Sequence, residues 1–387
     1  MSGETEILRL IDLGTCEAIK AQTFYEAVAL AVDRGLSPDT LVLCSPSSPY
    51  VCIGYHQDLE QEVDTEFCRK VGLPIIRRGQ GGGAVYLDSN QVFYQYVLRK
   101  ESRLASGSVE DFFRRLLSVT VRVYRELGLN AEYKPINDVV VNGKKISGNG
   151  AGELGSTRIL VGNVILDIDY DMMARVLRVP DEKFRDKMAK SMREWVTSLR
   201  RELGFKPTYG RIKELIVKAC QEELGVKVVE DRPSEEELRI WEEEVKPKHL
   251  SEDWLYMHTY RLRGARAVKI ADGVKVVEVS HKARKLIRVR AELMGDKILD
   301  IALMGDFFMI PEEAVSRLEK ALRGVKLDRE EILRRVSKFY EEGVETPGIG
   351  PEDFVEAILK LKNFAEKYPE QIRPYVEEDE GGSRSED

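Results

Sequence analysis

Leu73-Pro74-Ile75-Ile76-Arg77-Arg78-Gly79-Gln80-Gly81-Gly82-Gly83-Ala84-Val85-Tyr86-Leu87-Asp88 carries a short apolar run into two arginines and then into a loop with four glycines in five positions. A second apolar run continues through Val92-Phe93-Tyr94-Gln95-Tyr96-Val97. The pattern predicts strand, tight loop, strand, in the manner of a glycine-rich hairpin. Successive glycines cost backbone entropy, so they mark a close approach of the backbone to something else, or a concave site whose N–H groups receive an anion. The arginine pair favours the anion, because arginine keeps its charge and presents a planar fork of donors. No Gly-Lys-Ser/Thr closes the loop and no helix-forming segment follows, which excludes both common phosphate-loop patterns. A purely structural hairpin stays open as the alternative.

Upstream, residues 17–34 have helical spacing (Ile19, Phe24, Ala27, Val28, Ala31, Val32) and stop at Gly35. Two strand-like runs follow, at 40–44 and 51–55, with a turn-rich Ser45-Pro46-Ser47-Ser48-Pro49 between them, and a short helix near 63–70 leads into the loop. Downstream, Ser108-Val109-Glu110-Asp111 reads as a capping box opening a helix. Its arginines Arg114, Arg115, Arg122 and Arg125 read as a solvated face.

The second informative stretch is Pro135-Ile136-Asn137-Asp138-Val139-Val140-Val141-Asn142-Gly143-Lys144-Lys145-Ile146-Ser147-Gly148-Asn149-Gly150. Asn142-Gly143 between β-type residues predicts a two-residue hairpin turn. Lys144 and Lys145 then begin the returning strand and point to opposite faces, one of them inward, with Asp138 across the hairpin. A surface lysine pair is the alternative, since lysine is rarely buried unless paired.

Composition sets outer limits. With 387 residues, two domains are the natural expectation. No apolar run approaches the roughly 18 residues of a membrane span and the first residues are polar, so the expectation is a cytoplasmic protein with no membrane partner. Five cysteines without a Cys-x-x-Cys pair, and four dispersed histidines, argue against a disulfide framework or a zinc site. A net charge of −7 gives no general attraction for nucleic acid, so any anion must be captured locally. The 33% of charged residues, with Asn and Gln sparse, fits a heat-tolerant source. Helices are expected at 184–192, 209–223 and from Ser234 to about Glu244, ending near Pro247. From residue 261 strand-like runs come first and three helical segments after, opening near Pro311, Asp328 and Pro351. That order predicts a smaller α+β domain over 261–370, followed by an acidic disordered tail, 371–387.

Taken together the residues resemble the lipoate-protein ligase family. The resemblance rests on Arg77-Arg78-x-x-Gly81-Gly82-Gly83-Ala84-Val85-Tyr86-x-Asp88, Asn137-Asp138-Val139, Lys145-Ile146-Ser147-Gly148, Gly162-Asn163-Val164-Ile165-Leu166, Val196-Thr197-Ser198-Leu199 and, upstream, Ile53-Gly54-Tyr55-His56-Gln57. It implies an α+β catalytic domain over 1–260, similar to class II synthetase and biotin-ligase cores. The part from 261 resembles the family's accessory domain at Met304-Gly305-Asp306-Phe307-Phe308 and Pro311-Glu312-Glu313.

The implied reaction activates lipoate or octanoate with ATP and Mg²⁺ to the acyl-adenylate. A lysine of a lipoyl acceptor, such as glycine cleavage H protein or an E2 lipoyl domain, then takes the acyl group. The resemblance gives Lys145 and Asp138 catalytic roles. It places Arg78, Arg77, Asn137, Lys145 and the segment Gly83, Ala84, Val85, Tyr86 against ATP. It places Lys145, Gly54, Gly82, Gly83, Val85, Leu87 and Gly148 against lipoate, and Asp138 near a magnesium carried by the nucleotide. Val51, Ile53, Val85 and Val164 are candidate walls for the acyl chain. Leu87 and Val161 stand where relatives often carry histidine, and Asn90-Gln91 replaces a usual Gly-Asn. An ATP-independent octanoyltransferase of the same superfamily and a non-catalytic lipoyl-binding protein are the alternatives; the loop lacks the Gly-Arg-Gly-Arg pattern of biotin ligation.

Overall fold

Period-two alternation builds the main sheet. In β6 (Gln91–Arg99), Val92, Tyr94, Tyr96 and Leu98 enter one core, while Val97 enters the core on the opposite face. The same division separates Leu8 and Leu10 from Ile11 in β1 (Ile7–Cys16), and Leu41 and Leu43 from Val42 in β2 (Thr40–Pro46). With β10 (Asn149–Leu154), β11 (Thr157–Ile165) and β12 (Lys227–Asp231) these strands form a six-stranded mixed sheet in the order β10-β11-β6-β2-β1-β12. Helix α1 (Ala18–Asp33) covers one face through Phe24, Val28 and Ala31. Helices α2 (Val109–Glu126) and α3 (Tyr209–Leu224) cover the other. The capping box at Ser108 and Asp111 forms as the sequence predicts. The computed structural model describes residues 6–259 and 274–367.

The glycine-rich stretch is not a hairpin. β4 (Ile75–Arg77) and β5 (Val85–Leu87) do not pair with each other; both flank β3 (Tyr50–Ile53), β4 in parallel and β5 antiparallel. The glycine loop therefore crosses over the end of β3 and brings Gly82 against Gly54, immediately beyond that strand. A third small sheet, β7 (Ala131–Lys134), β8 (Asp138–Val141) and β9 (Lys144–Ser147), carries the second motif. Asn142 and Gly143 both take positive φ, 50° and 76°, as the tight hairpin turn requires.

The helix expected to end near Pro247 continues. Glu235–Ile240 passes through a π turn at Trp241–Val245 into Lys246–Leu250, with Pro247 directly after the π turn, where Lys246 N–H still donates to Trp241 O. Trp241 anchors the π turn by donating from Nε1 to Thr23 Oγ1 at 3.0 Å.

Beyond residue 273 a meander of β13 (Val274–Lys282), β14 (Leu286–Met294) and β15 (Lys297–Gly305) precedes three helices, Ala314–Leu322, Arg329–Glu341 and Pro351–Lys367. Ile287, Val289, Leu318, Phe339 and Phe354 share a core separate from that of the large sheet. The chain is thus α+β with a smaller C-terminal accessory unit. The expected boundary at 260/261, the run Ala267-Val268-Lys269-Ile270 and the tail 371–387 lie outside the described residues. Among the described residues no helix is long and apolar enough to cross a membrane.

The two units are stitched by backbone. Gly305 N donates to His56 O at 3.0 Å, Gly82 N to Phe307 O at 3.3 Å, and the rings of His56 and Phe307 stack at 4.6 Å. The His56 motif and the Phe307 motif, read separately in the sequence, are partners.

Candidate active site

A cavity of about 280 Å³ lies where the glycine loop, the β8–β9 hairpin, the main sheet and the accessory unit meet. Arg78, Gly82, Gly83, Val85, Leu87, Asn137, Lys145 and Gly148 all border it. Its apolar side consists of Val85, Leu87, Phe93 and Val161, so the two positions that lack histidine both present hydrocarbon to the cavity. Gln22, Gln95, Asn149 and Asn163 supply polar groups that the sequence reading did not single out, and Phe308 and Lys285 reach in from the accessory unit.

Three of the four loop glycines answer to neighbouring protein. A Cβ on Gly79 would meet Glu26 Oε1 at 2.8 Å, one on Gly81 would meet Phe307 O at 2.4 Å, and one on Gly82 would meet Arg78 Nη2 at 2.9 Å. Gly54 is excluded from larger side chains in the same way, its Cβ position lying 2.0 Å from Gly82 O. Gly83 alone has nothing within 4 Å. The structural reading of the loop therefore accounts for Gly79, Gly81 and Gly82, and the open backbone at Gly83 faces the cavity.

Arg78 braces this loop from within, donating from Nη2 to the carbonyls of Gly81 (2.8 Å) and Gly83 (2.9 Å) and lying 3.5 Å from Cys52 Sγ through Nη1. Arg77 is corrected. It is fully buried, and its guanidinium donates to the carbonyls of Gly54, Tyr55, Gln57, Trp254 and Leu255, which leaves it no access to a ligand. Strand alternation explains the split: adjacent residues at a strand end turn to opposite sides. Ala84 and Tyr86 also leave the site, packing against the Val51 and Ile53 core, and Tyr86 N–H meets Met173 Sδ at 3.1 Å. Val51, Ile53 and Val164 are core residues rather than cavity walls.

Lys145 is the inward lysine. Its ammonium pairs with Asp138 Oδ1 at 2.6 Å, both side chains about one-third exposed at 37% and 32%. The strand beneath it is fixed by Thr197 N, which donates to Lys145 O at 2.8 Å, so the Val196-Thr197 block holds the lysine in place. Asn137 and Asn149 exchange side-chain-to-backbone bonds of 2.6 and 2.9 Å, and Asn163 Oδ1 accepts from Gly148 N at 2.8 Å. Cys52 borders the cavity too, but burial pushes its thiol pKa up, with Arg78 opposing. The site combines cations, an open backbone segment and an apolar slot, which suits a ligand with an anionic head and a hydrocarbon tail.

Residues 18–221 match the lipoyl protein ligase A/B catalytic domain, and residues 286–358 match the bacterial lipoate protein ligase C-terminus. The chain belongs to the lipoyl protein ligase A/B family. Among relatives within and around this family, an octanoyltransferase LipM of Kyrpidia tusciae is 30% identical over 270 residues, covering 64% of this chain and 98% of its own. The lipoate-protein ligase LplJ of Bacillus subtilis is 25% identical over 316 residues, covering 81% of this chain and 88% of its own. A solved structure of the bi-partite lipoate protein ligase of Thermoplasma acidophilum, studied with its E2 lipoyl domain, superposes with a TM-score of 0.57 at 29% identity, covering 65% of this chain and 96% of that one.

Proposed function

We propose that this member of the lipoyl protein ligase family is an ATP-dependent lipoate-protein ligase that also accepts octanoate and acylates a lysine of an E2-type lipoyl domain or of glycine cleavage H protein. The observation that carries the reading is the accessory unit. The octanoyltransferase relative is matched over nearly its whole length yet leaves about a third of this chain without a counterpart, whereas residues 286–358 match a ligase C-terminus. That unit adds two side chains to the cavity wall.

The chemistry gives the residues their parts. A carboxylate attacking an α-phosphate brings two negative charges to about 4 Å, a repulsion of roughly 4 kcal/mol at an effective dielectric near 20. The Lys145 ammonium offsets it from a compact point and stays with the charge as the adenylate forms. Asp138, beside Lys145, orients that ammonium and, in the second step, takes a proton from the acceptor amine in this reading. Gly83 N–H and the polar residues Asn137 and Asn163 meet the nucleotide, and Leu87, Phe93 and Val161 enclose the acyl chain. Among the described residues no group of three or more His, Cys, Asp or Glu is placed to hold a metal. In this reading magnesium comes with the nucleotide, with Asp138 as the nearby carboxylate.

The test is lipoate-dependent ATP–pyrophosphate exchange by the full chain. Exchange with lipoate or octanoate supports the ligase. A second reading, transfer of octanoyl groups between carriers without ATP, is favoured by the LipM match and by Cys52 at the cavity. It would replace the first if no label exchanged while octanoyl transfer between acceptor domains proceeded and was lost in Cys52→Ser.

A further inference from the structure

The described lining of the cavity holds three cations, Arg78, Lys145 and Lys285, and no carboxylate. Two of them are already engaged. Lys145 has Asp138 at 2.6 Å, and the Arg78 fork is spent on the carbonyls of Gly81 and Gly83. Lys285 has no carboxylate at ion-pairing distance among the described residues. The nearby Asp306 lies 3.8 Å from Lys282 and accepts from the backbone N–H of Leu286. The Lys285 ammonium instead stands 5.2 Å from the Phe308 ring centroid.

The position of Lys285 is built. It sits in the β13–β14 turn, closed by Ala283 N donating to Lys285 O at 3.1 Å and by Asp306 N donating to Leu286 O at 3.2 Å. One residue before it, Arg284 Nη2 donates to Pro135 O at 2.8 Å, pinning the turn onto the segment that carries Asn137 and Asp138. A turn fastened on both sides holds the Lys285 backbone in place, and its side chain lines the cavity. Burial pushes the Lys285 pKa down; Asp306 opposes this and Lys145 adds to it. An ammonium kept from water without a counter-ion is unfavourable, and an entering anion relieves that.

We propose that Lys285 is an anion-binding residue contributed by the accessory unit, which holds a carboxylate or phosphate oxygen of the substrates beside Lys145. The inference rests on the reading of this cavity as an acyl-activating site. The anion has two possible sources, the acid and the nucleotide, and the experiment separates them.

Calorimetry on the full chain would measure octanoate binding without nucleotide, and ATP binding without acid, for wild type, Lys285→Met and Lys285→Arg. Methionine keeps the apolar contact with Phe308 and removes only the charge. The expected result is binding weaker by about tenfold or more in one arm for Lys285→Met, as for loss of one charge-assisted contact, with most of it recovered by Lys285→Arg and thermal unfolding unchanged. The arm that falls names the source. Changes under twofold in both arms, equal losses in the methionine and arginine variants, or a wild type that binds neither ligand would each overturn the inference. Absence of pyrophosphate exchange in a wild type that binds octanoate would remove the ligase reading instead, and the octanoate arm would still decide on Lys285.

Discussion

Gly81→Ala and Gly83→Ala, two residues apart in one loop, should fail for different reasons. At position 81 the added methyl lies 2.4 Å from Phe307 O, 3.1 Å from Phe308 Cα and 3.2 Å from Phe308 Cδ1, and two of those atoms are backbone that cannot rotate away. Relief needs the accessory unit to retreat by something approaching 1 Å, and overpacking on that scale costs about 1–3 kcal/mol. Taken from the docking of the two units, this weakens docking by roughly 5- to 150-fold, since each 1.4 kcal/mol is tenfold. It also threatens the Gly82 N–H bond to Phe307 O and pulls Phe308 and Lys285 out of register with Lys145. A misplacement of about 1 Å near reacting atoms can itself cost 100-fold in rate. At position 83 the methyl meets nothing, so docking and stability should stay at wild-type values while substrate binding suffers from the narrowed cavity. Hydrogen exchange at Gly305, whose N–H is buried in the interface only while His56 O accepts it, reads docking; pyrophosphate exchange reads function. Gly81→Ala should speed the first and lower the second, and Gly83→Ala should lower only the second. Unchanged protection at Gly305 in Gly81→Ala would refute the role assigned to that glycine.

Lys145→Ala should lower lipoate-dependent pyrophosphate exchange by at least about 100-fold, the scale of one preorganised electrostatic donor, and a loss below threefold would remove Lys145 from its role. His56 makes the molecule acid-labile. Burial first, and Arg77 second, push its pKa from an ordinary 6.5 to about 3, so below pH 6.5 the unfolded chain binds a proton that the folded chain refuses. The stability is fully present above that pH and falls as pH drops towards 3, by about 2 kcal/mol at pH 5. Urea unfolding at pH 7 and pH 5 should show that difference shrinking in His56→Phe, and parallel losses in both proteins would count against it. Glu26 is held down to about 2 by His249 and Lys248 in spite of the burial that raises it. Glu26→Ala, which leaves Lys248 and the His249 ring without their 3.0 Å partner, should lower unfolding stability by about 2 kcal/mol, the scale of hydrogen bonds to a charged group; a loss under about 0.5 kcal/mol would show the contact to be idle.

Local patterns with a fixed period were legible in the sequence. The capping box at Ser108, the Asn142-Gly143 turn with Asp138 on the strand beside Lys145, and the strand-then-helix order after residue 273 all need only near neighbours. β7, β10 and β12 were missed because polar or glycine-rich stretches such as Asn149-Gly150-Ala151-Gly152 become strands only through their partners, whereas β1 carried a signal of its own in Ile7, Leu8, Leu10 and Ile11. The glycine loop was misread as a hairpin for a related reason: its flanking strands pair with β3, more than twenty residues upstream of them. In the site, Lys145, Gly83 and Leu87 were found by motif. Arg77 could not be told from Arg78, because the carbonyls that saturate it come from Gly54, Tyr55 and Gln57 on one side and Trp254 and Leu255 on the other. Lys285 had no signal, since a lysine in a β-turn looks like any solvated one until the second unit docks.

The grip on the glycine loop from α1 behind and the accessory unit in front has a bearing on how substrate range can change. A backbone already clamped on two sides spends little binding free energy on becoming ordered when a guest arrives. It also cannot be remodelled to admit a bulkier one, because positions 79, 81 and 82 answer to Glu26, Phe307 and Arg78 rather than to the guest. Variants that welcome longer or branched acids should therefore arise at Leu87 and Val161, whose apolar side chains border the cavity, while the loop itself stays as it is.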